Sequence, residues 1–225
     1  MNSNVIYDIK DVHKSYGHQK TEVLRGIDLS IQEGEFVALM GPSGCGKSTL
    51  LNLLGTLDHS TSGNILFKGK SVGSLTETEQ TQFRKKNIGF IFQFFNLLST
   101  LTVAENIALP LELENVLNDK EISTKVDEIL NQVGLSHRKD YYPALLSGGE
   151  MQRVAIARAI IHKPGIILAD EPTGNLDTET GKSILELLSS LSKEHQLTIF
   201  MATHSQEAAE YADRIIHIRD GKLVY

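Results

Sequence analysis

Nine residues near the start of the chain have the types and spacing of a phosphate-binding loop. The pattern G-x-x-x-x-G-K-[ST] begins at Gly41 and closes on Gly46, Lys47 and Ser48. Glycines let backbone N–H groups converge on one point, Lys47 adds a positive charge for the β and γ phosphates, and the Ser48 hydroxyl can ligate Mg²⁺. The sequence therefore predicts a site for ATP and Mg²⁺ formed by Gly41, Pro42, Ser43, Gly44, Cys45, Gly46, Lys47, Ser48 and Thr49.

A pair of carboxylates follows an apolar run much later in the chain. Asp170 and Glu171 come directly after the run 166–169, which has the composition of a buried strand. The carboxyl ends of parallel strands form the edge at which α/β sheets bind ligands. Asp170 suits Mg²⁺ binding through water, and Glu171 can orient or deprotonate a water for attack on the γ-phosphate. The loop thus predicts binding, and the carboxylate pair predicts hydrolysis.

After the glycines of the phosphate loop, a second glycine motif, Gly148-Gly149, precedes a helix, and we call it the second glycine pair. Ser147, Gly148 and Gly149 stand just before the periodic apolar run 151–161. Two interpretations follow from these residues alone. They can be an ordinary helix start capped by Ser147, or a second anion site, which would serve another ligand or the γ-phosphate of a neighbouring molecule.

The elements that must position these residues follow from hydrophobic periodicity. Alternating apolar residues over 5–31 predict antiparallel strands joined by a loop at Gly17, His18, Gln19 and Lys20. The run 35–40 predicts a buried central strand that leads into the phosphate loop, and leucines from Leu50 to Leu57 predict the helix after it. Thr76 with Glu79 predicts a capped polar helix over 76–86.

The second half of the chain first becomes helical and then alternates strands and helices. Residues 102–161 have helical periodicity interrupted at Gly134, Pro143 and the second glycine pair, whereas 165–169 and 197–201 are strand-like and flank a helix over 179–194. We therefore predict an α/β fold, a P-loop NTPase core with a mainly parallel central sheet, an N-terminal antiparallel β subdomain and an inserted α-helical subdomain. Asp220-Gly221 predicts a final hairpin.

Composition narrows the classes of function. The 225 residues suffice for one domain, and a net charge of −6 disfavours a nucleic-acid partner. The single cysteine, Cys45, excludes a disulfide within the chain and agrees with a reducing compartment. The sequence has no run of 18 apolar residues and no signal-peptide pattern at its start, so we expect a cytoplasmic protein.

Together, the phosphate loop, the segment ILADEP, Ser147-Gly148-Gly149, Gln93 and His204 resemble the ATP-binding-cassette (ABC) ATPase family over nearly the whole chain. The resemblance implies one domain, 1–225, with a nucleotide-binding core at 1–92 and 163–225 and a helical signature subdomain at 93–162. It implies that two cassettes pair head to tail, most simply as a homodimer, with the second glycine pair of each completing the ATP site of the other.

The same resemblance assigns further residues. Gln93 would sense Mg²⁺ and the attacking water, and His204 would contact the γ-phosphate. Asp177 would line the dimer interface, and Tyr16 would stack on adenine. From the residues alone, Gln93, His204 and Tyr16 also have ordinary structural interpretations, as a loop amide, a strand-end histidine and an aromatic at the core's edge.

Segments such as 89–98, 141–143 and 169–177 resemble the branch of lipoprotein-releasing and macrolide-exporting ATPases. That branch implies a transmembrane permease as partner and attachment to the cytoplasmic face of the inner membrane. The apolar stretch Phe92–Leu98 around Gln93 can form a groove for a permease helix or belong to the helical core, and both interpretations stay open.

Two other classes of ATPase share the phosphate loop. A soluble cassette acting on DNA or ribosomes usually carries a long coiled-coil insertion or a duplicated cassette, and 225 residues hold neither. A nucleotide kinase would need a second nucleotide or acceptor pocket and has no use for the glycines after Ser147. We therefore expect the motor subunit of a membrane transport complex.

Overall fold

The computed structural model describes residues 4–17, 21–114 and 116–224. The predicted loop residues His18, Gln19 and Lys20 lie outside the described residues. Among the helices that are described, none combines the length and the apolar character needed to cross a bilayer.

Within the described ranges, ten strands form two sheets. Their bounds are β1 Val5–Tyr16, β2 Thr21–Gln32, β3 Phe36–Met40, β4 Ser62–Phe67, β5 Lys70–Ser71, β6 Ile88–Ile91, β7 Ile166–Asp170, β8 Thr198–Thr203, β9 Arg214–Arg219 and β10 Lys222–Val224. The first sheet has the order β2-β1-β4-β5 and is antiparallel. The second has the order β10-β9-β3-β8-β7-β6, and its strands are parallel except for β10. The predicted α/β fold with an N-terminal antiparallel sheet is confirmed.

The part of the chain that the structure describes contains seven α-helices. They are α1 Lys47–Leu54, α2 Glu77–Asn87, α3 Val103–Glu114, α4 Asp119–Gln132, α5 Gly148–Ile160, α6 Thr178–His195 and α7 Gln206–Ala209. The predicted capping box of α2 is present, because Thr76 accepts from the Glu79 N–H and the Glu79 side chain accepts from Thr76. Helix α1 is shorter than predicted: it ends before Gly55, so Leu57 lies outside it and is 50% exposed.

The six-stranded sheet separates two hydrophobic clusters. Strands β3, β7 and β8 are buried on both faces, so their side chains alternate between the clusters. One cluster joins Ala38 and Met201 to the helices α3 to α6. The other joins Leu39 and Phe200 to α1 and the four-stranded sheet. The helical stretch therefore shares a core with the parallel sheet, and the division at residues 93–162 stays a prediction.

Candidate functional site

The phosphate loop lies between β3 and α1, at the carboxyl edge of the six-stranded sheet. Gly44 and Gly46 have left-handed backbones, with φ of 79° and 109°. A Cβ on Gly41 would lie 2.3 Å from the Ile218 carbonyl oxygen, so the loop packs tightly against β9. The Gly221 N–H, at the tip of the β9–β10 hairpin, donates to the Cys45 carbonyl over 3.2 Å. The position of the phosphate loop therefore depends on its contacts with β9 and the β9–β10 hairpin as well as on its own motif.

Helix α1 begins without a capping side chain. Its N-cap is Gly46, and the first turn contains no acidic residue. No acidic side chain of the helix's own first turn therefore offsets the partial positive charge of its N-terminus, which suits a phosphate site.

Lys47 is 5% exposed and lies between the loop and the carboxylates. Its ammonium donates to the carbonyl oxygens of Gly41 at 2.7 Å and Pro42 at 3.1 Å. The same Nζ lies 3.7 Å from Oε1 of Glu171. A buried ammonium is thus held where the phosphate loop meets the strand that carries the acidic pair.

Asp170 is the last residue of β7 and lies beside the start of α1. The Ser48 hydroxyl donates a hydrogen bond to this carboxylate. Burial raises the pKa of Asp170, with a further contribution from the nearby charge of Glu171, and the Ser48 hydrogen bond opposes the rise. The Oδ1 atom is buried without a hydrogen-bond partner among the described residues. The donor set of Ser48 and Asp170 therefore fits a hard cation such as Mg²⁺.

Glu171 contacts two of the predicted site residues. Its Oε2 lies 2.7 Å from Nδ1 of His204, and its Oε1 faces Lys47. The backbone at Glu171 is left-handed, with φ of 45°, and its N–H donates to the Ala202 carbonyl. This turn interrupts the strand after Asp170, so Glu171 lies beside Lys47 and His204 whereas Asp170 accepts a hydrogen bond from Ser48.

His204 follows β8, and its side chain is 58% exposed. Strands β3, β7 and β8 are parallel neighbours, with Met40 paired to Thr203 and Asp170 paired to Ala202. Their carboxyl ends therefore bring Lys47, the two carboxylates and His204 to one edge of the sheet.

Gln93 follows β6 and contacts the segment after the acidic pair. Its Nε2 donates to Oδ1 of Asn175 over 3.3 Å, and Nδ2 of Asn175 donates to the Gln93 carbonyl over 2.9 Å. A Cβ on Gly174 would lie 2.8 Å from the same Nε2. Asn175 was not singled out from sequence, because its partner is 82 residues away. The described hydrogen bonds of Gln93 lead to this segment and not directly to Ser48 or Asp170.

Ser147 caps α5. Its Oγ accepts from the Glu150 N–H, while its own N–H and hydroxyl donate to Glu150 Oε2 at 2.9 Å. The Nε of Arg138 donates to Oε1 of Glu150 at 2.7 Å. The structure therefore shows the capped helix start. This cap does not involve the amides of Gly148 and Gly149, so the interpretation of a second anion site stays a prediction.

Asp177 caps α6. Its carboxylate accepts hydrogen bonds from Thr180, including the backbone N–H at 3.0 Å, and these lower its pKa. Asp177 also lines a cavity of about 220 Å³ together with Glu171 and His204. A larger cleft of about 990 Å³ lies at the opposite edge of the sheet, beside Gly34, Gly165 and Leu197, and contains none of the predicted site residues.

Tyr16 ends β1 and is held by two residues that sequence reasoning missed. Its hydroxyl donates to Oδ2 of Asp58 at 2.6 Å, and the Lys14 ammonium lies 4.6 Å from the ring centroid. Lys14 donates to Oδ1 of the same aspartate at 2.6 Å. The Tyr16 ring is exposed near Thr49 of the phosphate loop, so its position is compatible with stacking on a base.

Comparison with known proteins independently supports the resemblance to ABC ATPases. Residues 24–174 match the family model described as ABC transporter. The chain is 50% identical to an uncharacterized ABC transporter ATP-binding protein of Methanocaldococcus jannaschii, MJ1508, over 96% of this chain and 97% of that protein. It is 44% identical to the lipoprotein-releasing system ATP-binding protein LolD of Acinetobacter baylyi, over 99% and 98%.

A further relative is the bacitracin export ATP-binding protein BceA of Halalkalibacterium halodurans, 46% identical over 97% of this chain and 87% of the relative. Among solved structures, the fold resembles the ATP-binding cassette MJ0796 in a dimeric post-hydrolysis state bound to ADP and phosphate. The TM-score is 0.89 and the identity 41%, over 97% of both chains.

Proposed function

Since this chain belongs to the ABC transporter family, we propose that the residues gathered at the carboxyl edge of its parallel sheet form half of an ATP hydrolysis site. The chain is an ATP-binding and ATP-hydrolysing subunit of the ABC type, coupled to membrane transport. Its relatives favour this function over that of a soluble ATPase acting on DNA or ribosomes. The family also differs from nucleotide kinases, which pass the phosphate to an acceptor.

The observation that carries the proposed site is the position of Glu171 between Lys47 and His204. We assign Glu171 as the base that accepts a proton from the attacking water, while the water oxygen bonds to the γ-phosphorus and the β-phosphate oxygen leaves. His204 orients Glu171 and contacts the γ-phosphate. Lys47 and the loop amides hold the β and γ phosphates.

Mg²⁺ would be held by the Ser48 hydroxyl and, through water, by Asp170, with Gln93 close to its outer ligands. When bound, the ion neutralises phosphate charge. No cluster of three or more His, Cys, Asp or Glu side chains within the described ranges could hold a metal unaided. This agrees with an ion that takes most of its ligands from the triphosphate and water. Tyr16 would stack on the adenine.

Two copies of the chain would complete two sites. The structural relative MJ0796 is a dimer, which supports a homodimer here. In that arrangement Ser147, Gly148 and Gly149 of one copy face the γ-phosphate held by the other, and Asp177 lies at the interface. ATP then joins the two copies, and hydrolysis separates them.

A transmembrane permease is the further partner we propose, with the chain held at the cytoplasmic face of the inner membrane. Phe94 is 72% exposed beside Gln93, whereas Leu97 packs against the core. Within the stretch 92–98, Leu97 therefore anchors the segment to the core while Phe94 offers exposed apolar surface, which suits a contact between the ATP site and a permease.

Phe94→Ala is expected to reduce stimulation of hydrolysis by the copurified permease. Unchanged stimulation would contradict this contact.

The substitution Glu171→Gln tests the hydrolysis mechanism. The amide keeps the shape of the side chain but is a poor base, so turnover should fall by a factor on the order of 10² to 10⁴. ATP affinity should be retained, and a nucleotide-bound dimer should accumulate in sedimentation or gel-filtration measurements. Glu207→Gln is the matched control, because this exposed carboxylate lines the same 220 Å³ cavity and has no assigned role. Normal phosphate release by Glu171→Gln would overturn the assignment.

A further inference from the structure

The start of α5 packs directly against the start of α6. A Cβ built on Gly149 would lie 2.5 Å from Cγ2 of Thr180, closer than side chains approach in folded proteins. A Cβ on Gly148 would lie 3.1 Å from Cδ2 of Leu176, the end of a more adaptable side chain. The two glycines that follow Ser147 thus face the segment that follows Glu171 in the same chain.

Backbone conformation does not require glycine at position 149. Gly149 is a helical residue of α5, and it is not among the glycines with positive φ. It is also buried, and the direction of its absent Cβ is toward α6. The space beside Thr180 is therefore a sufficient reason for glycine at this position, independent of any contact with a nucleotide held by another copy.

Thr180 is itself fixed to the site. Its backbone N–H and its hydroxyl donate to Asp177, so its Cγ2 has a defined direction toward α5. The intervening turn is short: the Gly174 N–H donates to the carbonyl of Glu171 over 3.0 Å. Any displacement of α5 from Thr180 therefore changes the distance between the second glycine pair and Glu171.

We propose that Thr180 is a positioning residue, which sets the place of the Ser147–Gly149 amides relative to Glu171 through van der Waals contact with Gly149. This proposal rests on the proposed function, in which those amides complete the ATP site of a second copy. Through Thr180, movement of the Glu171 segment during hydrolysis is passed to the amides that hold the neighbouring ATP.

The test combines an overpacking substitution with its relief. Gly149→Ala should lower hydrolysis about 10- to 100-fold, since displacements near 1 Å at a catalytic site cost about that much. Adding Thr180→Ser removes Cγ2 while keeping the hydroxyl bonded to Asp177, so the double variant should return to within about threefold of wild type. Gly181→Ala is the matched control, because its Cβ would meet only ordinary contacts of 3.5 and 3.8 Å from Thr173.

Two measurements separate positioning from a general loss of structure. ATP affinity of the single copy and the thermal unfolding midpoint should change little in Gly149→Ala, whereas nucleotide-dependent dimer formation in a Glu171→Gln background should weaken and recover with Thr180→Ser. If Gly149→Ala does not fold, Thr180→Ile enlarges the contact from the other side and should lower hydrolysis while Gly149 is unchanged.

The proposal is overturned if the double variant is as inactive as Gly149→Ala, since glycine would then be required by the neighbour's nucleotide. It is equally overturned if Gly149→Ala or Thr180→Ile hydrolyses ATP normally. Failure of the proposed function looks different: Glu171→Gln would form no dimer with ATP, whatever residue occupies position 149.

Discussion

Helices α1 and α5 both begin at glycine-rich segments, and they differ in how their N-termini are capped. Helix α1 begins at an uncapped left-handed Gly46 and has no acidic residue in its first turn. Helix α5 begins at Ser147, and Glu150 in its first turn completes a capping box. The first helix leaves its amides to a ligand, whereas the second has already satisfied part of its own.

In the proposed dimer, the two helix starts would therefore have different roles in each ATP site. An uncapped N-terminus with a buried lysine binds phosphate strongly by itself. The capped N-terminus of α5 carries the Glu150 carboxylate, which repels a phosphate. It is therefore expected to bind phosphate only when the phosphate loop of another copy supplies most of the affinity. In the proposed site, we therefore expect ATP to bind at α1 before α5 of the other copy closes on it.

Among changes at the two helix starts, the largest effect is expected from removing the lysine of the phosphate loop. Lys47→Ala deletes the charge-assisted hydrogen bonds to phosphate, each worth about 1.5 to 3 kcal/mol, so ATP affinity should fall by roughly 10- to 100-fold. Titration of the single copy with a fluorescent ATP analogue measures this. An unchanged ATP affinity would show that the start of α1 does not bind phosphate more strongly than the start of α5.

A smaller and different effect is expected at the capped helix. Ser147→Ala should leave the ATP affinity of a single copy unchanged, lower hydrolysis about tenfold at low protein concentration, and reduce the free energy of unfolding by about 1 kcal/mol. Thr76→Ala removes an equivalent cap from α2 and should cost similar stability without loss of hydrolysis. Equal hydrolysis by the two variants would show that Ser147 acts only as a cap.

The smallest effect concerns the carboxylate in the α5 cap. Glu150→Gln removes a negative charge near the proposed phosphate position, so ATP-dependent dimer formation should tighten a fewfold, most clearly at low salt. Sedimentation in a Glu171→Gln background measures the change. Weaker dimer formation would mean that the ion pair with Arg138 matters more than the charge at the helix start.

The pH dependence of unfolding tests how much the Glu150 carboxylate contributes to stability. The Ser147 N–H, and then Arg138, hold the pKa of Glu150 below its ordinary value. Its contribution to stability is therefore fully present above the ordinary pKa of a glutamate side chain and is lost as the pH falls through the lower folded pKa. The stability difference between wild type and Glu150→Gln should shrink on acidification through that range.

Local sequence chemistry predicted most of the fold. The capping box at Thr76, the strand that leads into Gly41 and the hairpin at Asp220-Gly221 each depend on residues within a few positions of one another. The alternation of strands and helices predicts the parallel sheet, and the carboxyl ends of its strands are where Asp170 and His204 lie.

Contacts between distant segments could not be predicted in this way. Lys14 and Asp58 are 44 residues apart, and the hydrogen bonds that Asp58 accepts from Lys14 and from Tyr16 depend on how β1 packs near α1. The contact between Gly149 and Thr180 depends on how two helices approach. Hydrophobic periodicity identifies which face of an element is buried, but it does not identify the residue on the other side.

The hydrogen bonds of Lys47 within its own loop have a consequence for the rate of product release. A buried ammonium left without acceptors would be costly, and that cost would slow the departure of any phosphate that holds it. Here the carbonyl oxygens of Gly41 and Pro42 can accept the ammonium as phosphate leaves. In the proposed site, this exchange of acceptors would lower the barrier to phosphate dissociation, so tight binding of phosphate by Lys47 would not prevent its release.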